Sequence, residues 1–311
     1  MKTCPRTGKP IVEISHSGLN TFASCPKKFA FRKMIINYNE GRESGVAADV
    51  GTALHEAIQE YMRSRSTTEA MLRLAEFHPI ELKHSSDAPK YSLEASLITL
   101  EHVINEGTLD SYDLVYFEKD GKRIPGTEVA FLVEIELEHL VFHLRGLIDL
   151  VLQSMVTGRI IAADIKTTTT QALPTMEAKY KWDWQATSYG IPLNGLLGIE
   201  HQFNVAIAGV IQSDYEPKFV MPEYKRGPTD VDQYYHYLID KCQTMQRYWL
   251  DGIFPRHPTS CIAYGKVCHY HANCGASTLN DMQNLVNPSR KEGTVNNRDL
   301  TPVFTAQLQG V

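Results

Sequence analysis

Two rhythms of apolar and polar positions run along the chain. Between residues 15 and 35, Leu19, Phe22, Ala23 and Phe29 form a helical stripe with Ser17 as the expected N-cap, and Pro26 marks either a kink or the first turn of a second helix. After a connector of glycines and small residues at 40–50, the stretch 51–62 puts Leu54, Ile58 and Tyr61 or Met62 on one inward face. The helical period continues through Met71, Leu72, Leu74 and Ala75, breaks at the polar stretch 84–89, and resumes through Leu93, Leu97, Ile98, Leu100 and Ile104. A helical lobe is therefore expected over about 56–118.

The period then shortens to two. Residues 126–140 read as strand, and the apolar runs 147–152 and 160–165 flank a Thr157-Gly158 turn, which predicts a hairpin within 142–167. A helix carrying Trp182, Trp184, Gln185 and Tyr189 is expected beyond Pro174, with Gly190 and Pro192 kinking or ending it. Residues 203–213 read as a buried strand with 219–224 as its partner, and 229–250 as a helix capped by Thr229 or Asp230. The last 36 residues, rich in Asn, Ser, Thr and Gly, read as a polar tail over 276–311, mobile or weakly docked. The fold class is α/β, with a mixed central sheet flanked by helices.

Charge interrupts the hairpin where apolar residues are expected. Asp149 breaks the first run, and Asp164 and Lys166 end the second; side chains two apart on a strand share a face, so Asp164 and Lys166 are neighbours and Ile165 turns inward. A two-residue loop at 156–157 or 157–158 sets Asp149 opposite Asp164 or Lys166, and in either register all three share one face; a three-residue loop breaks that parity. Such a group is costly to bury unless a cation and a substrate use it, although a buried Asp and Lys can also simply pair. Gln185 and Tyr189, four apart, lie on one helical face. His55 stands alone on its helix, where structural and surface roles are the commoner ones, and Glu128 opens a strand where an exposed edge carboxylate is equally expected. Lys27, Lys28, Arg32 and Lys33 form a basic cluster that reads as a solvated helix face or a DNA contact.

Composition narrows the class. The 311 residues, 43% hydrophobic, suffice for one substantial core with an insertion or small second lobe, and a formal net charge of -5 gives no overall basic field, so any cationic surface must be local. The opening MKTCPRTGKP lacks a signal-peptide core and no stretch approaches a membrane span, from which an intracellular protein with no membrane partner is expected. Six cysteines are present, three of them, Cys261, Cys268 and Cys274, within fourteen residues; without an export signal, metal or cluster binding is the default over disulfides. His269 and His271 lie among these thiols, so a local zinc site is one candidate. Cys4 and Cys242 read as ordinary thiols.

Gly146-x-x-Asp149 followed by Asp164-Ile165-Lys166 resembles the core of the PD-(D/E)XK nuclease superfamily, in particular its RecB-like and CRISPR-adaptation exonuclease branch. Cys25-Pro26, Gly51-x-x-x-His55, Gln185-x-x-x-Tyr189 and the late cysteines fall in that family's order, so the resemblance covers about 14–275. It implies a restriction-endonuclease-like core in which Asp149, Asp164 and the Ile165 main-chain carbonyl hold Mg2+ or Mn2+, with His55 as a further ligand and Lys166 assisting the attacking water or the phosphate. It implies that Gln185 and Tyr189 contact DNA and support the site, that Glu128 matches the acid before the hairpin, and that Cys25, Cys261, Cys268 and Cys274 staple the C-terminal region with a [4Fe-4S] cluster, Zn2+ being the alternative. The gap Cys261-x6-Cys268 is longer than the family's commonest, and Asp164 stands where Glu is commoner. The activity implied is a metal-dependent DNA exonuclease acting on ends or single strands in recombination, repair or phage DNA processing. A CRISPR-adaptation-type nuclease and a non-catalytic DNA-binding subunit are the alternatives. No Walker A sequence occurs, so unwinding would fall to a helicase or recombination partner.

Overall fold

The computed structural model describes residues 2–35, 45–79, 89–168, 173–198, 203–211, 216–263, 266–285 and 302–309. Parts of the expected connector at 40–50, of the break at 84–89 and of the tail lie outside these residues. In chain order the elements are β1 (Ile11–Ile14), α1 (His16–Ser24), α2 (Pro26–Lys33), α3 (Val46–Ser64), α4 (Thr67–Phe77), α5 (Leu93–Asn105), β2 (Tyr112–Leu114), β3 (Tyr116–Lys119), β4 (Lys122–Pro125), β5 (Thr127–Glu136), β6 (Val141–Ser154) and β7 (Ile160–Thr168). There follow α6 (Leu173–Tyr180), α7 (Trp184–Ser188), α8 (Gly190–Leu197), β8 (Phe203–Ile211), β9 (Lys218–Val220), β10 (Glu223–Arg226), α9 (Pro228–Leu250), β11 (Ile262–Ala263), β12 (Lys266–Val267), α10 (Leu279–Asn284) and β13 (Phe304–Gln309). The fold is mixed α/β, and the chain divides into two compact units.

One unit comprises Glu43–Val129 and Leu147–Asp232. Its sheet runs β10-β8-β7-β6, with β7 and β8 parallel, β6 and β7 antiparallel, β2 added antiparallel on β6, and β9 and β10 both antiparallel to β8. The apolar stripes of α3, α4 and α5 bury Leu54, Ile58, Leu74, Leu100 and Val103 against Leu150, Leu152, Ile161, Ile165, Ala206 and Val210 of these strands. Each leucine, isoleucine or valine among them contributes roughly 1.5–3 kcal/mol by leaving water. Ser66 and Ser92 cap α4 and α5 through their hydroxyls. The helical lobe expected to reach 118 stops at Asn105: Gly107 takes a left-handed φ of 72°, and beyond it Tyr112 and Leu114 are buried on either side of exposed Asp113, a strand period.

The other unit comprises Met1–Arg42, Ala130–Gly146 and Gln233–Val311. Here β1 lies parallel to the start of β6, pairing Ile11–Ile14 with Val141–Leu144. The α1 N-cap is Ser15, whose hydroxyl accepts the Gly18 N–H at 3.2 Å, in place of the expected Ser17. Pro26 opens a separate helix, α2, where its missing N–H costs nothing. The expectation of a loose tail over 276–311 is corrected for its described residues, 276–285 and 302–309. Thr278 and Asp281 form a capping box on α10, and β13 pairs parallel with Phe131–Glu136 of β5 over six residues. Its sequence FTAQLQ alternates apolar and polar, the pattern of a strand with one covered face. Among the described residues no helix is long and apolar enough to cross a membrane.

Candidate active site

The hairpin register decides which side chains meet. β6 and β7 pair Gln153 with Ile160, Leu152 with Ile161, Val151 with Ala162 and Leu150 with Ala163, which in continuation sets Asp149 opposite Asp164. The loop is longer than two residues, closed by Ser154 N–H to the Arg159 carbonyl at 2.9 Å, with Gly158 at φ 68°, and its parity is that of a 156–157 turn. Past Leu150 the ladder gives way to side chains. The Ile165 N–H donates to Asp149 Oδ2 at 2.8 Å, and the Asp149 carbonyl accepts Gln59 Nε2 at 3.4 Å. Lys166 Nζ forms an ion pair with Asp164 Oδ2.

Asp164 is further held from α7. Tyr189 OH donates to Asp164 Oδ1 at 2.7 Å, and Gln185 Nε2 donates to the same oxygen at 3.0 Å and to the Tyr189 hydroxyl at 2.9 Å. The expected single helix is broken here: Trp182 lies in a turn, α7 starts at Trp184 with Asp183 accepting the Gln185 N–H at 2.7 Å, and Tyr189 sits at the junction with α8. Arg226 fixes α7 from below. It is 2% exposed and donates Nε to Thr187 Oγ1 at 2.9 Å and Nη2 to the Lys181 carbonyl at 2.7 Å. Sequence reasoning missed Arg226, an arginine in a polar run with nothing local to mark it as buried, while the Asp183 cap two residues before Gln185 was a readable signal.

His55 reaches the site from α3, its Nδ1 at 3.6 Å from Asp149 Oδ2. One turn earlier a Cβ on Gly51 would stand 2.8 Å from Thr167 Oγ1, so only glycine lets α3 lie this close to β7. Gly146 answers a similar need, since a Cβ there would meet the Phe131 ring at 2.3 Å. Glu128 sits near the start of β5 with φ 47°, a left-handed conformation that costs a non-glycine residue about 1 kcal/mol or more. It also adds negative field at Asp149.

The electrostatics of the group follow from burial. Removal from water, then the Asp164 carboxylate, pushes the Asp149 carboxyl up to about 7, against the Lys166 ammonium and the Ile165 N–H. Burial opposes the charge on Lys166, but Asp164 and Asp149 outweigh it and hold its pKa above the ordinary lysine value. Burial and then the two carboxylates raise the Tyr189 phenol well above its usual range, so it stays a donor to Asp164. Two facing carboxylates, an imidazole and one ammonium leave excess negative charge, to which a hard cation is the matching partner. Among the described residues no three His, Cys, Asp or Glu side chains are already drawn together as a closed cation site.

The model of the PD-(D/E)XK nuclease superfamily matches residues 13–275. The chain belongs to this superfamily. No curated protein matches it. Among solved structures, a Eubacterium rectale protein named as a candidate exonuclease is similar at 14% identity and a TM-score of 0.47, over 88% of this chain and 99% of its own. The protein SSO0001 is similar at 18% identity and a TM-score of 0.27, over 62% of this chain and 74% of its own.

A second group of chemistry-bearing residues in this PD-(D/E)XK chain lies in the unit built from both ends. Cys25, Cys261, Cys268 and Cys274 line one pocket together with Lys27, Phe31 and His271, whereas His269, Cys4 and Cys242 do not. None of the six cysteines, all of them among the described residues, is in a disulfide. The antiparallel pairing of β11 with β12 turns the long Cys261-x6-Cys268 gap back on itself, so that the Cys268 N–H donates to the Cys261 carbonyl at 2.7 Å. Ser260 Oγ and His257 Nδ1 lie 2.7 and 3.0 Å from the Ser24 carbonyl, which ties this segment to the residue before Cys25. Phe31 stacks on Tyr270 with centroids 5.3 Å apart.

Proposed function

We propose that the chain is a divalent-metal-dependent deoxyribonuclease, acting as an exonuclease on ends or single strands in recombination, repair or phage DNA processing. The observation that carries this is the convergence of Asp149, Asp164 and Lys166 on one face of the hairpin, with Gln185 and Tyr189 both committed to Asp164 Oδ1. Asp149, Asp164 and the Ile165 main-chain carbonyl would hold Mg2+ or Mn2+, with His55 as the softer additional donor. A cation bound there supplies a water of lowered pKa and neutralises charge on the scissile phosphate.

The chain's own groups do the rest. Gln185 and Tyr189 fix Asp164 Oδ1, leaving Oδ2 to align the Lys166 ammonium toward the oxygens on which charge develops. The Ile165 N–H holds Asp149 in a single orientation, so the carboxylates need no rearrangement when substrate arrives. Glu128, strained and close in field, is a further acidic candidate.

The cysteines are read as ligands of a [4Fe-4S] cluster, with Zn2+ as the alternative. Cys25 shares the pocket with the three late cysteines, and although His271 also lines it, four thiolates are present there to complete a ligand set without an imidazole. Any unwinding falls to a helicase or recombination partner.

Digestion of end-labelled single- and double-stranded DNA, linear and circular, with Mg2+, Mn2+ or EDTA tests the assignment. The expected result is metal-dependent loss of linear substrate from its ends, abolished in Asp164→Ala and Lys166→Ala while DNA binding stays within a few-fold, because ground-state contacts are spread over many groups. Binding without cleavage under every condition would leave a non-catalytic DNA clamp.

A further inference from the structure

The turn between α6 and α7 presents Trp182 to water, 68% exposed. The backbone beneath it is nevertheless held firmly. The Asp183 N–H donates to the Tyr180 carbonyl at 3.2 Å, and buried Arg226 spends Nη2 on the Lys181 carbonyl and Nε on Thr187 of α7. Leaving an indole in solvent forgoes the burial that would favour it elsewhere, and a buried arginine committed to the turn keeps the ring from collapsing onto the surface. Cations adjoin the aromatics: Lys181 Nζ lies 5.5 Å from the Trp182 ring centroid and Lys179 Nζ 4.8 Å from that of Tyr180. The turn also abuts the reacting centre. Tyr180 lies close enough to act electrostatically on Lys166, and Gln185, three residues beyond Trp182, bonds Asp164.

We infer that Trp182 is a stacking platform for a nucleobase of single-stranded DNA entering the site, with Lys179 and Lys181 on the flanking phosphates. A base within a duplex has both faces covered, whereas an unpaired base offers its face to a rigid aromatic regardless of sequence. The pairing of an exposed ring with lysines is the chemistry such a strand requires. This inference rests on the nuclease reading of the same site, and the test separates the two.

The test measures binding of the full chain in EDTA to an oligothymidylate and to an abasic oligomer of equal length, which carries the same phosphates without bases. Wild type is expected to favour the oligothymidylate by about five- to a hundredfold, Trp182→Ala to lose most of that preference while binding the abasic oligomer as wild type does, and Trp182→Phe to keep most of it. If Trp182→Ala fails to fold by circular dichroism, Trp182→Leu, which keeps apolar bulk without a flat face, takes its place. A preference that survives Trp182→Ala or Trp182→Leu, or its absence in wild type, overturns the inference. Digestion of the same oligothymidylate with Mn2+ reports on the nuclease reading separately. Cleavage with a preference indifferent to Trp182 sinks the stacking role alone, and a Trp182-dependent preference without cleavage sinks the nuclease reading alone.

Discussion

Asp149 concentrates the electrostatic cost of the site. Its carboxyl is pushed up to about 7 in the folded chain from an ordinary value of 3.8, so between these limits the folded protein retains a proton that the unfolded chain has released. By linkage, stability of the metal-free protein from this group is fully present below the lower value, falls as pH rises by up to about 1.4 kcal/mol per unit, and levels off above about 7. Thermal unfolding in EDTA between about pH 4 and 8 should show this decline, and Asp149→Asn should flatten it; an unchanged slope would contradict the assignment. Tyr189→Phe removes one of the two donors to Asp164 Oδ1 and leaves Gln185 with one partner fewer, for an expected loss of about 1 kcal/mol in stability and a larger loss in cleavage rate at unchanged DNA affinity. His55→Ala should shift the preference between Mn2+ and Mg2+, read by parallel metal titrations of cleavage, since it removes the softest donor near Asp149.

At the scale of elements, the approach of α3 to β7 is the feature most open to test. Gly51→Ala forces its Cβ onto Thr167 Oγ1 and should cost about 1–3 kcal/mol while moving His55 away from Asp149. Adding Thr167→Ala restores the space, so the double variant should recover stability that the sum of the two single losses denies it, measurable by denaturant unfolding. Much of this hairpin was legible beforehand, because its parity follows from charges set two apart in apolar runs and survives a change in loop length. Other parts were not. The strands after Gly107 are short; β2 takes its pairing from β6, some forty residues on, and β3 from β4 beyond residue 118, so nothing within the stretch itself ends the helical period of Leu93–Asn105. β13 was hidden because its partner, Phe131–Glu136, is far away in the chain and its own flank is polar. The break between α6 and α7 depends on a cap at Asp183 and on Arg226 reaching back from β10, and only the first is a local signal.

For the whole molecule, the cysteine pocket links residue 25 to residues 261–274, closing a loop of about 236 residues if a cluster forms. By the entropy estimate used for disulfides such a closure is worth roughly 5 kcal/mol, comparable to the stability of an ordinary domain. Protein purified without oxygen should therefore be brown and carry iron, and Cys25→Ala should lose iron and unfold more easily; a colourless, zinc-loaded protein indifferent to Cys25→Ala would instead mark the local zinc site. The parallel pairing of β13 with β5 has a different consequence, for the order in which the chain is made. On a ribosome, Phe131–Glu136 emerges long before Phe304–Gln309, and until the later stretch arrives the row of N–H and C=O groups it will cover stays open to any passing extended segment. A nascent chain is thus vulnerable to mispairing for the whole interval in which residues 137–303 are being added, and release of a chain stopped short of residue 304 should favour aggregation over a merely shorter soluble product.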